Sequence, residues 1–331
     1  MGRATGEHNG RTGGYVHPMD VAAPGNDLLY VVSRGLGFRG ARGIDGNCRI
    51  GKTTIDEDHI GDLARGQFTW PCGIDVDNDG DIYVSDEYVN TISWFADKVM
   101  IYPEFDLKGE RLGTWGETGS KKGQLRGPSG IEFDAEDNLY VVDSLNNRIQ
   151  KFTKRGGYIS CWGESGSDHG QFNRPWGITI DKTGDVYVAD WGNHRVQKFT
   201  ADGHYIMSFG ASRGEAGNLD HPSGVAVDSD GDVYVADWGR RCVVIFEPTG
   251  EVITSLYGDA TEFSKAGIYN INRDPESIKK LLGSEGTMEY LTKLGRPLGI
   301  VVDDKDRVVI AETRGRIQVY CKDHAYLAPS I

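Results

Sequence analysis

Apolar residues along this chain fall in short bursts of four to six, with glycine- and aspartate-rich stretches between them. A representative run reads Gly130-Ile-Glu-Phe133, then Leu139-Tyr-Val-Val142, Ile149-Gln-Lys-Phe152 and Tyr158-Ile-Ser-Cys-Trp162. The near two-residue alternation and the β-branched and aromatic content predict four short strands. The stretch between the first two, of the form Asp-x-x-[Gly/Asp]-[Asp/Asn], predicts a tight turn built from residues that tolerate positive φ.

This unit recurs. Pro128-Ser-Gly-Ile-Glu-Phe-Asp134, Pro175-Trp-Gly-Ile-Thr-Ile-Asp181 and Pro222-Ser-Gly-Val-Ala-Val-Asp228 are separated by 47 residues each time. Each leads to a Tyr-Val-x-Asp segment, ending at Asp143, Asp190 and Asp237, and then to Arg148–Phe152, Arg195–Phe199 or Cys242–Phe246. Further copies begin at Pro18, Pro71 and Pro297, so six copies cover nearly the whole chain. Four strands per unit at this period make a propeller blade. A single blade cannot bury both faces, so the blades stack until the ring closes. The expectation is an all-β, six-bladed β-propeller in one domain, residues 1–331.

Two further features of the architecture are expected. The sixth copy ends near Arg316-Ile-Gln-Val-Tyr320 without an outer strand, while the chain begins with what reads as the tail of a blade. The segment Gly2–Glu7 is therefore expected to complete blade six and remove two exposed strand edges. Residues 259–295 lengthen the connection between blades five and six; Asp274–Gly283, with Asp as N-cap, Pro next and Gly as stop, predicts a helix there, with a second over Thr287–Leu294. This helical insertion is expected over the upper mouth, as a lid, a partner platform or a surface decoration.

The pattern Pro-x-Gly-[Ile/Val]-x-[Val/Ile]-Asp…Tyr-Val-x-Asp…Asn-x-Arg-[Ile/Val]-x-x-Phe resembles the NHL repeat over roughly residues 14–320, most closely in blades three to five. Blade one departs, with Asp20 in place of the glycine, and blade six carries Glu312 for Asp. The resemblance implies a propeller that acts as an interaction platform. A more distant likeness is to the peptidyl-α-hydroxyglycine amidating lyases, whose NHL-like blades place zinc-binding histidines just after the prolines. Here those places hold Met19, Cys72, Ser129, Trp176, Ser223 and Leu298.

In such a ring the loops before the inner strands and those after the second strands share one face, the upper one. The residues before the prolines include His17, Trp70, Arg174, His221 and Arg296; with Arg34, Arg39, Trp176, Trp191 and Trp238 they give this face an arginine- and tryptophan-rich character suited to a peptide, a protein or a small anionic ligand. The same residues could instead pack on one another between blades. His17 and His221 hold equivalent places in blades one and five, so with Asp20 they are candidate zinc ligands. His194 reads as a surface side chain. Asp75–Asp81 matches the first half of a calcium-binding loop but falls on the shared turn and lacks a Glu at its twelfth place, so it reads as a turn.

Forty-six glycines fit the turns, and five cysteines without a CxxC pair argue against a disulfide framework, with Cys161 and Cys242 read as buried apolar residues. The net charge of −13 opposes nucleic acid and anionic lipid, leaving the Arg34–Arg42 loop as the only footing for RNA. No apolar leader or membrane-length run is present, so the expectation is a cytoplasmic protein. Two functional readings follow. One is a binding propeller. The other is a lyase or hydrolase at the channel mouth, assisted by zinc or calcium, with Asp20, Arg174 and Arg296 as candidate catalytic residues.

Overall fold

The computed structural model describes residues 15–35, 48–97, 111–210, 217–258 and 293–322. They form six consecutive antiparallel sheets whose innermost strands are Pro18–Gly25, Pro71–Val76, Pro128–Phe133, Pro175–Ile180, Pro222–Val227 and Pro297–Val302. Within each sheet the strands follow in sequence order from the axis outward, as in the meander of blade four: Pro175–Ile180, Val186–Asp190, Arg195–Phe199 and Tyr205–Phe209. The fold is the all-β, six-bladed propeller the repeats predict.

Blade six shows three strands among the described residues, Pro297–Val302, Arg307–Glu312 and Arg316–Cys321. The strand expected from Gly2–Glu7 and the helix expected over Asp274–Gly283 lie outside the described residues, as does most of the second expected helix. Its last two residues, Lys293 and Leu294, are not helical, and Leu294 is buried against blades five and six. The described helical turns are two short 3₁₀ segments, Ser144–Asn146 and Trp191–Asn193. No helix among the described residues is long and apolar enough to cross a membrane.

The ring closes through packing between its first and last blades. Tyr15, Val21 and Leu29 share one apolar cluster with Val309, Ala311 and Ile317. On the lower face, Asp27 of blade one accepts Lys305 Nζ at 2.7–2.8 Å and pairs with Arg307. The core is divided accordingly: apolar clusters lie between neighbouring blades, built from alternate residues of the inner and middle strands, as with Tyr187, Ala189 and Val196 against Val225, Val233 and Val244.

Two repeated devices set the spacing of the blades. The first is the glycine of Pro-x-Gly. A Cβ on Gly130 would stand 2.7 Å from the carbonyl oxygen of Trp176 and 3.1 Å from the Cα of Gly177. The inner strands therefore touch backbone to backbone. The second is the acid that ends the second strand in blades two to six. Asp190, fully buried, accepts the Asn173 N–H at 2.8 Å, Asn193 Nδ2 at 2.8 Å and Arg195 Nε at 2.9 Å. Asp143 does the same with Arg126 N–H, Asn146 and Arg148. These acids tie the incoming loop of their own blade to the sheet, the structural role their repetition implies.

The lower face explains the acidity of the chain. Asp77 accepts the N–H groups of Asp79 and Asp81 at 3.0 and 2.9 Å, so this calcium-like loop is a turn held by its own aspartate. Lys154 from the next blade then places its ammonium 3.2, 2.6 and 2.9 Å from Asp77, Asp79 and Asp137. Lys322 fills the same role among Asp228, Asp230 and Asp232. Among the cysteines, Cys242 is buried as expected, whereas Cys161 is only half-buried, because it lies on an outer strand with one face to solvent.

The backbone contact at the inner strands gives a direct prediction. Gly130→Ala should lower stability by about 1–3 kcal/mol, the usual cost of overpacking a site that cannot give way. Denaturant unfolding monitored by tryptophan fluorescence measures it.

Candidate functional site

Because each inner strand starts at its proline, the residue before the proline stands on the upper face and the fourth residue after it points along the axis. Three of the non-glycine positions before the prolines have left-handed backbone: His17, Arg174 and His221 have φ of 50°, 52° and 59°. This left-handed turn lifts their side chains out of the sheet edge, at an energetic cost of order 1 kcal/mol for a non-glycine residue.

Around blades four to six this face carries a continuous shelf of rings. The Trp191 and His221 rings lie 4.1 Å apart, Trp238 is 6.5 Å from Trp191, and the Arg296 guanidinium sits 3.8 Å above the Trp238 ring. The charge on Arg296 has no carboxylate partner among the described residues. Arg174 is exposed at the preceding junction, and its N–H is held by Asn147 Oδ1 at 2.7 Å. His194 joins the shelf from below His221, ring to ring at 4.4 Å. Asp220 lies beside both histidines, with Oδ1 at 2.6 Å from His221 Nδ1 and 3.4 Å from His194 Nδ1.

On the opposite side of the face the aromatic residues are placed differently. Trp70 is 44% exposed and packs on Tyr88 at 5.7 Å. Arg34 lies over Trp70 at 5.4 Å, but its guanidinium is engaged by Glu87 at 2.8 Å and by the Pro71 carbonyl at 3.3 Å. Arg39 lies outside the described residues. Trp176 is half-buried and lines the central channel with Met19, Cys72 and Leu298. The structure thus brings Trp191, Trp238, His221 and Arg296 together, and sets Trp70 and Arg34 in a separate cluster.

The proposed grouping of His17, Asp20 and His221 is not among the clusters of potential ligands that the described residues form; His221 groups with His194 and Asp220 instead. Asp20 faces the channel, a cavity of about 190 Å³, where its carboxylate accepts the N–H of Val21 at 2.9 Å and of Ile74, in the next blade, at 3.2 Å. Asp75 repeats the motif one blade on, accepting Val76 and Phe133 at 2.8 and 2.7 Å, and Glu132 lines the channel after it. These carboxylates satisfy N–H groups on the free edges of neighbouring inner strands. Burial pushes the Asp20 and Asp75 carboxyls up to about 7 against the lowering effect of those N–H donors. Burial, with the charges of Asp75 and Asp20, raises Glu132 well above the ordinary carboxylate range. The same burial raises the Cys72 thiol far out of reach of a thiolate role at neutral pH.

Sequence reasoning did not single out Asp220 or Glu132, placed Asp75 only in the calcium-like turn, and gave His194 only a surface role. The signal was the repeat phase. His194 and His221 stand 27 residues apart, as do Asn147 and Arg174 one blade earlier, and Asp75 and Glu132 both occupy the fourth place after a blade proline.

Comparison with known families matches the NHL repeat at residues 68–95, 172–199 and 219–246, in blades two, four and five. The chain thus carries NHL repeats within a six-bladed β-propeller. No curated protein matches it. Among solved structures it is similar to a catalytically inactive virginiamycin B lyase from Staphylococcus aureus with quinupristin, at 16% identity and TM-score 0.54 over 92% of this chain and 95% of that one. It is similar also to a gluconolactonase from Xanthomonas campestris, at 12% identity and TM-score 0.60 over 93% and 86% of the two chains. An auxiliary nutrient binding protein from Bacteroides thetaiotaomicron gives 12% identity and TM-score 0.57 over 92% and 70%. At these identities the likeness is one of fold.

The buried channel carboxylates predict a pH dependence. A carboxyl raised on folding binds its proton more tightly in the native state, so its contribution is fullest below the unfolded value near 3.8 and is lost as pH rises through about 7. Stability should therefore decline across that interval, and Asp75→Asn, which keeps an acceptor for Phe133, should flatten the decline. Thermal midpoints from pH 4.5 to 8 for both proteins check this.

Proposed function

We propose that this protein is a binding propeller whose upper face, over blades four to six, receives a small ligand or peptide with an anionic group on a planar or apolar body. The observation that carries this reading is the Arg296 guanidinium stacked on Trp238, without a carboxylate partner among the described residues, beside the Trp191–His221 shelf. A guanidinium pre-positioned on an indole keeps its fork of N–H donors free for a carboxylate or phosphate, while the neighbouring rings offer apolar area at little entropic cost. Arg174, exposed one junction away, supports the same charge preference.

Enzymatic chemistry at this face is the second reading, a metal-assisted lyase or hydrolase. It draws support from two imidazoles and a carboxylate converging beside the ring shelf, with arginines near enough in the fold to steady developing negative charge. The fold is shared with proteins described as a lyase and a lactonase, and equally with one described as nutrient binding.

Titration with aryl carboxylates and aryl phosphates, followed by quenching of tryptophan fluorescence, tests the first reading. Arg296→Gln should weaken binding about tenfold or more, the loss of one charge-assisted contact worth roughly 1.5–3 kcal/mol, and Trp238→Leu should weaken it as well. Binding that is indifferent to both substitutions would place the ligand elsewhere.

A further inference from the structure

The junction between blades four and five differs from its neighbours in a coordinated way. At the two preceding junctions an asparagine in the left-handed conformation reaches across to the next blade: Asn90 Oδ1 accepts the Gly127 N–H at 2.7 Å, and Asn147 Oδ1 accepts the Arg174 N–H at 2.7 Å. At the fourth blade this asparagine is His194, whose Nδ1 accepts the His221 N–H at 3.3 Å. The residues that answer to Asn173 and Arg174 are here Asp220 and His221. Three positions that hold amides, a guanidinium or no side chain at the two preceding junctions thus hold two imidazoles and a carboxylate at this one.

Their donor atoms converge. One ligand atom from each of His194, Asp220 and His221 lies within 4.8 Å of the others, and Asp220 Oδ1 is 3.4 Å from His194 Nδ1. Zinc binds nitrogen and oxygen at about 2.0–2.2 Å with tetrahedral angles, which sets neighbouring donors about 3.4 Å apart. The His221 N–H points at the lone pair of His194 Nδ1 at a long 3.3 Å, so a metal ion that takes this lone pair displaces that bond and has the Asp220 carboxylate oxygen beside it. The other three-donor group among the described residues, Asp77, Asp79 and Asp137, already holds the Lys154 ammonium. Around Asp220 no ammonium or guanidinium takes that place among the described residues.

We propose that His194, Asp220 and His221 form a three-ligand site for a divalent transition ion of the zinc class. His221 Nδ1 and Asp220 Oδ1 share a proton at 2.6 Å. When Nδ1 takes a metal ion, the imidazole proton moves to Nε2 and the pair opens to the spacing of two ligands. The side chains are 47%, 50% and 31% exposed for His194, Asp220 and His221, which leaves them room to turn. Three protein ligands leave the fourth position for water or an incoming carboxylate, phosphate or hydroxamate. Trp191, packed on His221 at 4.1 Å, holds the imidazole in place.

The test needs no organic ligand, so it stands apart from the anion-binding reading. Purified full-length protein, stripped of metal, is titrated with Zn²⁺ by calorimetry and with Co²⁺ by visible absorption. One ion per chain is expected, with the d–d bands of a four- or five-coordinate cobalt site. His194→Asn and the triple change His194→Asn, Asp220→Asn, His221→Arg rewrite the junction as the preceding one, so the fold should persist with an unchanged metal-free melting temperature. In these variants affinity should fall at least tenfold and the cobalt bands should vanish. No stoichiometric ion in the unaltered protein, or equal binding by the variants, would overturn the proposal.

Discussion

Six inner strands must meet around one axis, and the backbone contact at the Pro-x-Gly glycines fixes how near they come. At Gly130 there is no space for even a methyl group. Once the strands are that close, little else is free to vary. The edges of neighbouring inner strands cannot pair as a sheet, so their N–H groups need other acceptors, and Asp20 and Asp75 supply carboxylates. The prolines line up on one face and the Asp-rich turns on the other. The carboxylates of the channel are a result of the same closeness, since they are desolvated by the ring they help to satisfy.

The two faces differ in how their charges are answered. On the lower face the acidic turns meet lysines and arginines, from a neighbouring blade in the case of Lys154, Lys322 and Arg307 and from the same blade in the case of Lys198, so many of these carboxylates are paired locally. On the upper face Arg34 and Arg296 lie over tryptophan rings, and Arg296 and Arg174 are without carboxylate partners among the described residues. Net charge alone therefore misrepresents what a ligand would meet at this face.

Much of the fold was legible because it is written six times. Alternation, the Asp-rich turns and the 47-residue period each pointed to the same blade, and repetition averages out the ambiguity of any one short strand. The site was less legible because its residues are exceptions to that repetition. Trp238 and Arg296 are read from the sequence as upper-face residues, yet that they stack on each other depends on a rotamer that spacing does not encode. His17 and Asp20 looked like partners of His221 because they share its phase or stand near the same mouth. The ring separates them: blade six intervenes, and the Asp20 side chain turns inward to the Ile74 N–H. Arg34 reads as a ligand contact in sequence but is taken up by Glu87, a residue 53 positions away.

The bridges from Asn90 and Asn147 to the following blade have an evolutionary implication. A circle held by several equivalent clasps can have one of them altered without springing open, because the others maintain the geometry into which the new side chains are born. Duplicated blades thus act as spare copies of a hinge, and a chain of this design can acquire a new recognition chemistry by a few point changes at one seam while its neighbours preserve the original wording.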